Sequence, residues 1–357
     1  QRVRQLDFLV ALGTHPPLDD LQLSKLVGQK VVDGQAGQSR IYNHEWDKPD
    51  TFTLIGTIPA PEIDLISGGL LRQDVPVHVN KLIFAYDQVI IAGPVFPHEV
   101  AGFSGGNKYF FPGIAGSEII NLTHWLGALI TNYKIIGTMH TPVRAVINRA
   151  ASMVKLPTFC FAFVVDHAGV AGIFCGTTDD AWNDAAKLSE IRHIIYKDKP
   201  FKRVLSIMPE MYTDLWTAAK GMYKLEPVVQ DGGEVIIYAP HIHEVSYTHG
   251  KLLDEIGYHC RDYFLAQMER FKHYPGGLLA HSTHVTGLGC YDPQTGQENT
   301  RIKVSLATGI PEERCRKIKL GYVNPSSIDI VDWKDHEQDG ILVVENAGEI
   351  LYRLIDQ

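Results

Sequence analysis

"KLIFAYDQVIIAGPVFPHEVAGFSGGNKYFFPGIAGSEIINLTHW" occupies residues 81–125. Its first part, Lys81–Ile91, is apolar and rich in residues that favour a pleated strand, and it ends in "AGPVFPH". A glycine-rich turn follows, and Pro112-Gly113 before "IAGSEII" reads as a second helix N-terminus. Buried strand, functional turn and helix in that order are the parts of a parallel α/β architecture.

The same grammar extends on both sides. Leu6–Leu12 predicts a buried strand, followed by "GTHPP" and a helix over Asp19–Val27. Phe159–Val165 predicts a strand ending at "DHAG", and Thr178–Ile195 a helix with Ala181, Trp182, Ala185, Leu188 and Ile191 on one apolar face. The charged, Pro-interrupted stretch 196–203 predicts a linker. Beyond it the pattern restarts with strands Val204–Met208 and Glu234–Ala239 and helices Asp214–Leu225, Leu252–Tyr258 and Tyr263–His273. "IKVSLATG" predicts a strand and turn, "PEERCRKIKLGY" a helix with Pro at its first position, and "GILVVENAGEILYRL" a strand, a turn and a last helix. Residues 34–50 predict a long polar loop. The expectation is an α/β protein of two domains with Rossmann-like parallel sheets and an active site in the crevice between them. The first domain is 1–198 and the second 199–334, with 335–357 free to pack back onto the first. The chain lacks an initial Met and reaches a strand within its first few residues, so part of the first domain is expected upstream.

A net charge of −8 gives no basic footprint, so nucleic acid is not an expected partner. Five cysteines, odd in number and never as CxxC, argue for a reducing, cytoplasmic setting rather than a disulfide framework. No apolar run is long enough to predict a membrane span.

In the opening stretch, Gly102, Gly105 and Gly106 let backbone amides approach a ligand, while Lys108 offers a cation or an amine nucleophile. The spacing is neither a P-loop nor a dinucleotide fingerprint. A mononucleotide cradle and a tight strand-to-helix turn both fit it. His15, His98 and His167 each follow a predicted strand, where open α/β sheets place ligands. A second group, His241, His243, Glu244, His249, His281 and His284, has spacings that can hold metal or simply line surface loops. Lys220 lies four residues after Trp216 on a predicted helix face, and can bind an anion or stay solvated.

Taken in order, the PH at 97–98, "AGFSGGNK", "PGIAG" and the later His124 resemble the signature of the nickel-pincer lactate racemases and related 2-hydroxyacid racemases and epimerases. The "LGTH" turn, "NHEWDKP", "VPVHVNKLIFAYDQVII" and "DLWTAAKG" extend the resemblance over most of the chain. The resemblance implies an isomerase using a nickel-pincer nucleotide, a pyridinium mononucleotide whose two sulfur-containing arms hold nickel. It places Lys108 as the lysine that can bond covalently to that cofactor and His124 as the nickel ligand. It also places His15 and His98 as acid/base pair, and Gly102, Ser104, Gly105, Gly106, Pro112 and Gly113 around the cofactor. Lys220, Trp216 and Thr217 fall on the substrate side. The implied reaction passes hydride from C2 of a 2-hydroxyacid to the cofactor through a planar 2-keto acid. Cofactor-biosynthesis proteins are implied as loading partners, and neither the substrate nor the oligomeric state is specified. The family's Asp-x-x-Arg turn is not within these residues, Trp216-Thr217 replaces a Tyr-Gln pair, and residues 284–325 resemble a subgroup. Together these point away from lactate itself. The competing expectations are a non-catalytic nickel- or nucleotide-binding protein of the same fold and an NAD-type hydroxyacid dehydrogenase.

Overall fold

A computed structural model describes residues 3–34 and 39–355. The four residues between them belong to the polar loop expected at 34–50, and that part of the expectation lies outside the described residues. The architecture is mixed α/β with parallel sheets. In the C-terminal half, five strands run parallel in the order Gly321–Tyr322, Lys303–Thr308, Val229–Ala239, Phe201–Ile207 and Ile341–Val344. The central three are rich in Val, Ile and Leu buried on both faces, as a covered parallel sheet requires. In the N-terminal half, Val89–Pro94 pairs parallel with Thr158–Asp166, which turns back antiparallel into Gly169–Gly176. A short parallel pair, Phe8–Val10 with Ile41–Asn43, and an antiparallel pair, Phe52–Ile58 with Val75–Asn80, complete that half.

Several sequence expectations shift at their edges. Lys81–Ile91 is not one strand: Lys81–Ala85 forms a 3-10 turn, because Asn80 caps it by accepting from the Leu82 amide, and the strand begins at Val89. Leu6–Leu12 narrows to a half-buried Phe8–Val10. Asp214–Leu225 breaks into single turns, Leu215–Ala218 and Lys220–Tyr223, and 263–273 into Arg261–Ala266 and Met268–Phe271. The expected linker at 196–203 is largely strand. Its first residues end Ile194–Lys197, which pairs parallel with Leu351–Leu354, so the last segment is strand rather than helix. Backbone pairing of buried Leu351 there outweighs helix propensity. Pro112-Gly113 does not open the helix, which runs Ser117–Ile130 from an N-cap at Gly116. Pro311 likewise sits at the N-cap of Glu312–Lys317, not inside it.

One unforeseen element decides the site. Gly276–Thr286 is a helix buried from Leu278 to its end, so it carries no polar face and no amphipathic period. It packs against Ser117–Ile130, where the Gly277 amide donates to Asn121 Oδ1 at 3.1 Å. A Cβ on Gly276 would lie 2.6 Å from the Asn121 carbonyl oxygen, so the two helices meet at backbone distance only because glycine is there.

Candidate active site

The site is assembled where chain turns leave the N-terminal strands. The strand Val89–Pro94 delivers Phe96 and His98, and the glycine loop then folds back under it. Gly102 has φ +82°, and a Cβ there would lie 1.8 Å from the Thr138 carbonyl oxygen, so no other residue fits this turn. The Ser104 hydroxyl accepts from the Phe96 amide at 3.0 Å and donates to the Pro94 carbonyl at 3.1 Å, closing the loop onto the strand end. Behind it, buried Arg144 donates to the carbonyls of Phe103 and Gly105, and its guanidinium stacks 4.2 Å from the Trp182 ring. Trp182 Nε1–H donates to the Ser104 carbonyl at 2.8 Å. Asn107 is tied to Asn148 and Asp179, each at 3.1 Å. The "LGTH" turn reaches the same place because the Gly13 amide donates to the Gly113 carbonyl at 2.8 Å.

These elements surround a cavity of about 340 Å³. His15, His98, Ser104, Gly105, Lys108, Pro112, Gly113 and His124 line it from the N-terminal half, and Trp216, Thr217 and Lys220 from the C-terminal half. Gly102 and Gly106 are not on the wall. They turn the chain behind it, and a Cβ on Gly106 would press on Trp182 at 2.9 Å.

Burial sets the electrostatics. His98 is held neutral, well below its ordinary range, by desolvation that outweighs the adjacent Glu99. His15 stands at the mouth with an exposed edge, and desolvation followed by the Lys220 and Lys108 charges lowers it to about 4. Solvent at that open edge screens the two lysines and moderates their effect. Lys108 is lowered to about 8, first by burial and then by Arg144 and Lys220, against the pull of Glu99. His124 is lowered by burial, and its Nδ1 lies 2.7 Å from the Ile120 carbonyl oxygen one helical turn back. A carbonyl can only accept, so Nδ1 carries the proton and Nε2 keeps a free lone pair. That is the usual arrangement of a metal-binding histidine.

Residues 1–136 match the lactate racemase N-terminal domain family. Two lactate racemases are each 26% identical to the chain. The match to the one from Thermoanaerobacterium thermosaccharolyticum covers 65% of this chain and 51% of that protein. The match to the one from Lactiplantibacillus plantarum covers 66% and 52%. The N-terminal part of the chain, residues 1–136, is thus a lactate racemase N-terminal domain by its family match. It spans about half the length of the curated relatives it matches. Among solved structures, a Thermotoga maritima protein superposes with a TM-score of 0.91 at 34% identity, over 99% of this chain and 86% of that one. The lactate racemase apoprotein of T. thermosaccharolyticum superposes at 0.72 and 20% identity, over 97% and 78%, a likeness of fold.

Glu99 and Tyr223, which the sequence did not single out, line the cavity. His281 and His284 line it as well, from the unforeseen helix rather than from a surface loop. His281 stacks on Trp216 at 4.1 Å and its Nε2 meets the Tyr258 hydroxyl at 3.2 Å, while buried His284 Nε2 has no hydrogen-bond partner among the described residues. The available signal for this helix was the "GG" before an uninterrupted uncharged run. His167 does not join: it is exposed in the turn of the Thr158–Gly176 hairpin. His241 is bonded to the Tyr212 carbonyl, Glu244 pairs with Arg314, and His249 packs on Trp216. Among the described residues no three His, Cys, Asp or Glu side chains gather to hold a metal by themselves. No helix described is long and apolar enough to cross a membrane.

The buried histidines have a consequence for stability. Burial lowers His281 to about 3 and His284 to about 4, whereas both titrate near 6.5 in an unfolded chain. Between those values the unfolded state binds more protons, so stability present above about pH 6.5 is lost as pH falls toward about 4. Urea midpoints of the unloaded chain should therefore decline over that range. The His281→Asn/His284→Asn double variant should decline less, and equal slopes would show that these rings do not stay neutral in the fold.

Proposed function

We propose that the chain is a racemase or 2-epimerase of a 2-hydroxyacid, working with a nickel-pincer nucleotide and on a substrate other than lactate. The observation that carries this is one cavity shared by two neutral histidines, His15 and His98, with Lys108, His124 and Lys220 around them. The match of residues 1–136 to the lactate racemase N-terminal domain supports the racemase class. The Trp216 ring, stacked on His281, supports a wall unlike one built from Tyr-Gln. We further propose a division near residue 198, with the cavity in the crevice between the two parts.

The residues present fit the cofactor. His124 offers a bare Nε2 fixed by its bond to Ile120, and imidazole is a suitable nickel ligand. Gly105 and Gly113 line the cavity while packing tightly behind it, where a Cβ would lie 2.5 Å from Val95 and 2.3 Å from the Tyr109 carbonyl oxygen. Lys108, lowered to about 8, has a sizeable neutral fraction near neutral pH for attachment. When bound, such a group supplies a reversible acceptor for the hydride of C2.

The chain supplies orientation and proton transfer. Lys220, from the opposite wall, offers a charge for the substrate carboxylate. A neutral His15 or His98 can take the hydroxyl proton of one enantiomer as C2 is oxidised; the other ring, once protonated from solvent, returns a proton to the keto oxygen on the opposite face while the first gives its own up to solvent. Phe96, Trp216 and Tyr223 exclude water from the planar 2-keto acid, which would otherwise hydrate or escape.

Cofactor-loaded enzyme is expected to invert C2 of at least one acid in a stereochemically resolved panel of malate, short aliphatic, aryl and sugar acids, with lactate a poorer substrate. No inversion across the panel would sink the assignment. For attachment, the intact mass of the loaded chain should rise by a modified mononucleotide, and Lys108→Ala should remove that rise. An unchanged mass with nickel retained would mean a noncovalent cofactor.

A further inference from the structure

Glu99 sits inside the cavity wall, and nothing in the chemistry above uses it. Its side chain is only 17% exposed, and a buried carboxylate costs free energy unless something needs it. A structural carboxylate would be paired with Lys or Arg. Among the described residues the only ion-pair partner of Glu99 is His98, whose Nδ1 lies 3.4 Å from Oε2. The buried Tyr223 hydroxyl neighbours the same carboxylate, whose charge adds to burial in raising the hydroxyl's pKa. Burial raises the Glu99 carboxyl, but its neighbours hold it well below the usual carboxylate range, and with His98 and His284 neutral the charge that favours its ionised form is that of Lys220.

His98 Nδ1 has a second neighbour. The Val100 amide donates to it at 3.1 Å. A neutral imidazole carries one proton, and each neighbour suits one tautomer. When Nδ1 accepts from Val100, the proton is on Nε2, and the ring can only donate toward the cavity. To take a substrate proton, Nε2 must be bare, so the ring's own proton must be on Nδ1. The Val100 N–H cannot accept that proton, and it opposes it. The Glu99 carboxylate can, after a small ring rotation that brings 3.4 Å into the ordinary range of about 2.7–3.2 Å.

We propose that Glu99 is a positioning residue for His98: its carboxylate accepts the Nδ1–H of His98 and so selects the tautomer whose Nε2 can take the substrate's hydroxyl proton. The inference rests on the hydroxyacid reading above. No atom is transferred to Glu99. The proton leaves the substrate oxygen for Nε2, and the resulting imidazolium is held by Nδ1–H donation to the carboxylate. Among the described residues no carboxylate pairs with the His15 ring, so the two histidines are not interchangeable.

The test uses the full chain with nitrogen-15-labelled histidine, the His98 signals being assigned with His98→Gln. The parent should show a population protonated at Nδ1. Glu99→Met, which keeps the volume but offers no acceptor, should lose it, and Glu99→Asp should restore part of it. Identical His98 spectra in parent and Glu99→Met would overturn the inference, whatever the protein catalyses. In loaded enzyme, single-turnover oxidation of the enantiomer served by His98 should slow about 100-fold or more in Glu99→Met, with KM changed less than about threefold. Oxidation of the other enantiomer should stay within about threefold of the parent. Equal slowing of both would mark Glu99 as merely structural and overturn the proposal. If Glu99→Met does not fold, Glu99→Gln should show the same one-sided loss, smaller because its amide oxygen still accepts weakly. A tautomer shift as expected, in a protein that inverts no hydroxyacid, would defeat the racemase reading and leave the Glu99–His98 pair standing.

Discussion

Loaded enzyme carrying His98→Asn or His15→Asn is expected to lose about 10²- to 10⁴-fold in kcat, the usual worth of a positioned acid or base. Both rings are neutral at working pH, so both can accept a proton without first losing one. A complete inversion needs one ring to take the hydroxyl proton and the other, first protonated from solvent, to return one, so either single loss breaks the cycle. The double variant should therefore be little worse than the poorer single one, because the two act as a unit. KM should change little, since the carboxylate is assigned to Lys220. The measurement is steady-state inversion on whichever acid the panel identifies. Single variants within about threefold of the parent would mean that the protons move elsewhere.

Arg144 carries the second large expectation. Its guanidinium holds the Phe103 and Gly105 carbonyls from behind, far enough from the cavity that it touches no wall residue except through the loop. Burial alone pulls this arginine down to about 9, so holding the charge is costly, and removing it relieves that cost. The opposing effect is larger. Phe103 stays buried whatever stands at 144, and its carbonyl left without a donor costs about 1–3 kcal/mol, whereas the Gly105 carbonyl keeps the Lys108 amide at 3.2 Å. The Trp182 ring also loses its stacked cation. Arg144→Leu should therefore lose about 3 kcal/mol in urea unfolding. Arg144→Lys should rescue only part, because an ammonium cannot fork across two carbonyls. Turnover should fall as well, since a loop displaced by about 1 Å costs about 10² in rate. A loss below about 1 kcal/mol would show that the loop is held chiefly by Trp182 and Asn107.

Much of this architecture was legible because it depends on local pattern. The strand over 159–165, the helix after Asp19 and the helix from Thr178 are set by apolar period and by caps, and the structure places them within a few residues. Asp19 and Gln22 form a capping box that can be read from four residues of sequence. The expectations that moved depended on partners elsewhere in the chain. Leu351–Leu354 became a strand because Ile194–Lys197 offered it a parallel edge. The 81–91 run was broken by one side chain, Asn80, capping from outside it.

The order of His98, the glycines, Lys108 and His124, with His15 after an earlier strand, was determined by the sequence alone, because each residue type follows from the chemistry it can do. Its resemblance to the lactate racemases followed from that order. Only the tertiary structure decided which of those glycines face the cavity and which turn the chain behind it. It also decided that His281 and His284 belong to the wall, while His167 lies in an exposed hairpin turn. The physical reason is distance along the chain. The Gly277 amide and Asn121 side chain that bring the second wall into place are 156 residues apart. The protonation of a histidine depends on what buries it and on which atom faces each ring nitrogen. For His98, that is the choice between the Val100 amide and the Glu99 carboxylate.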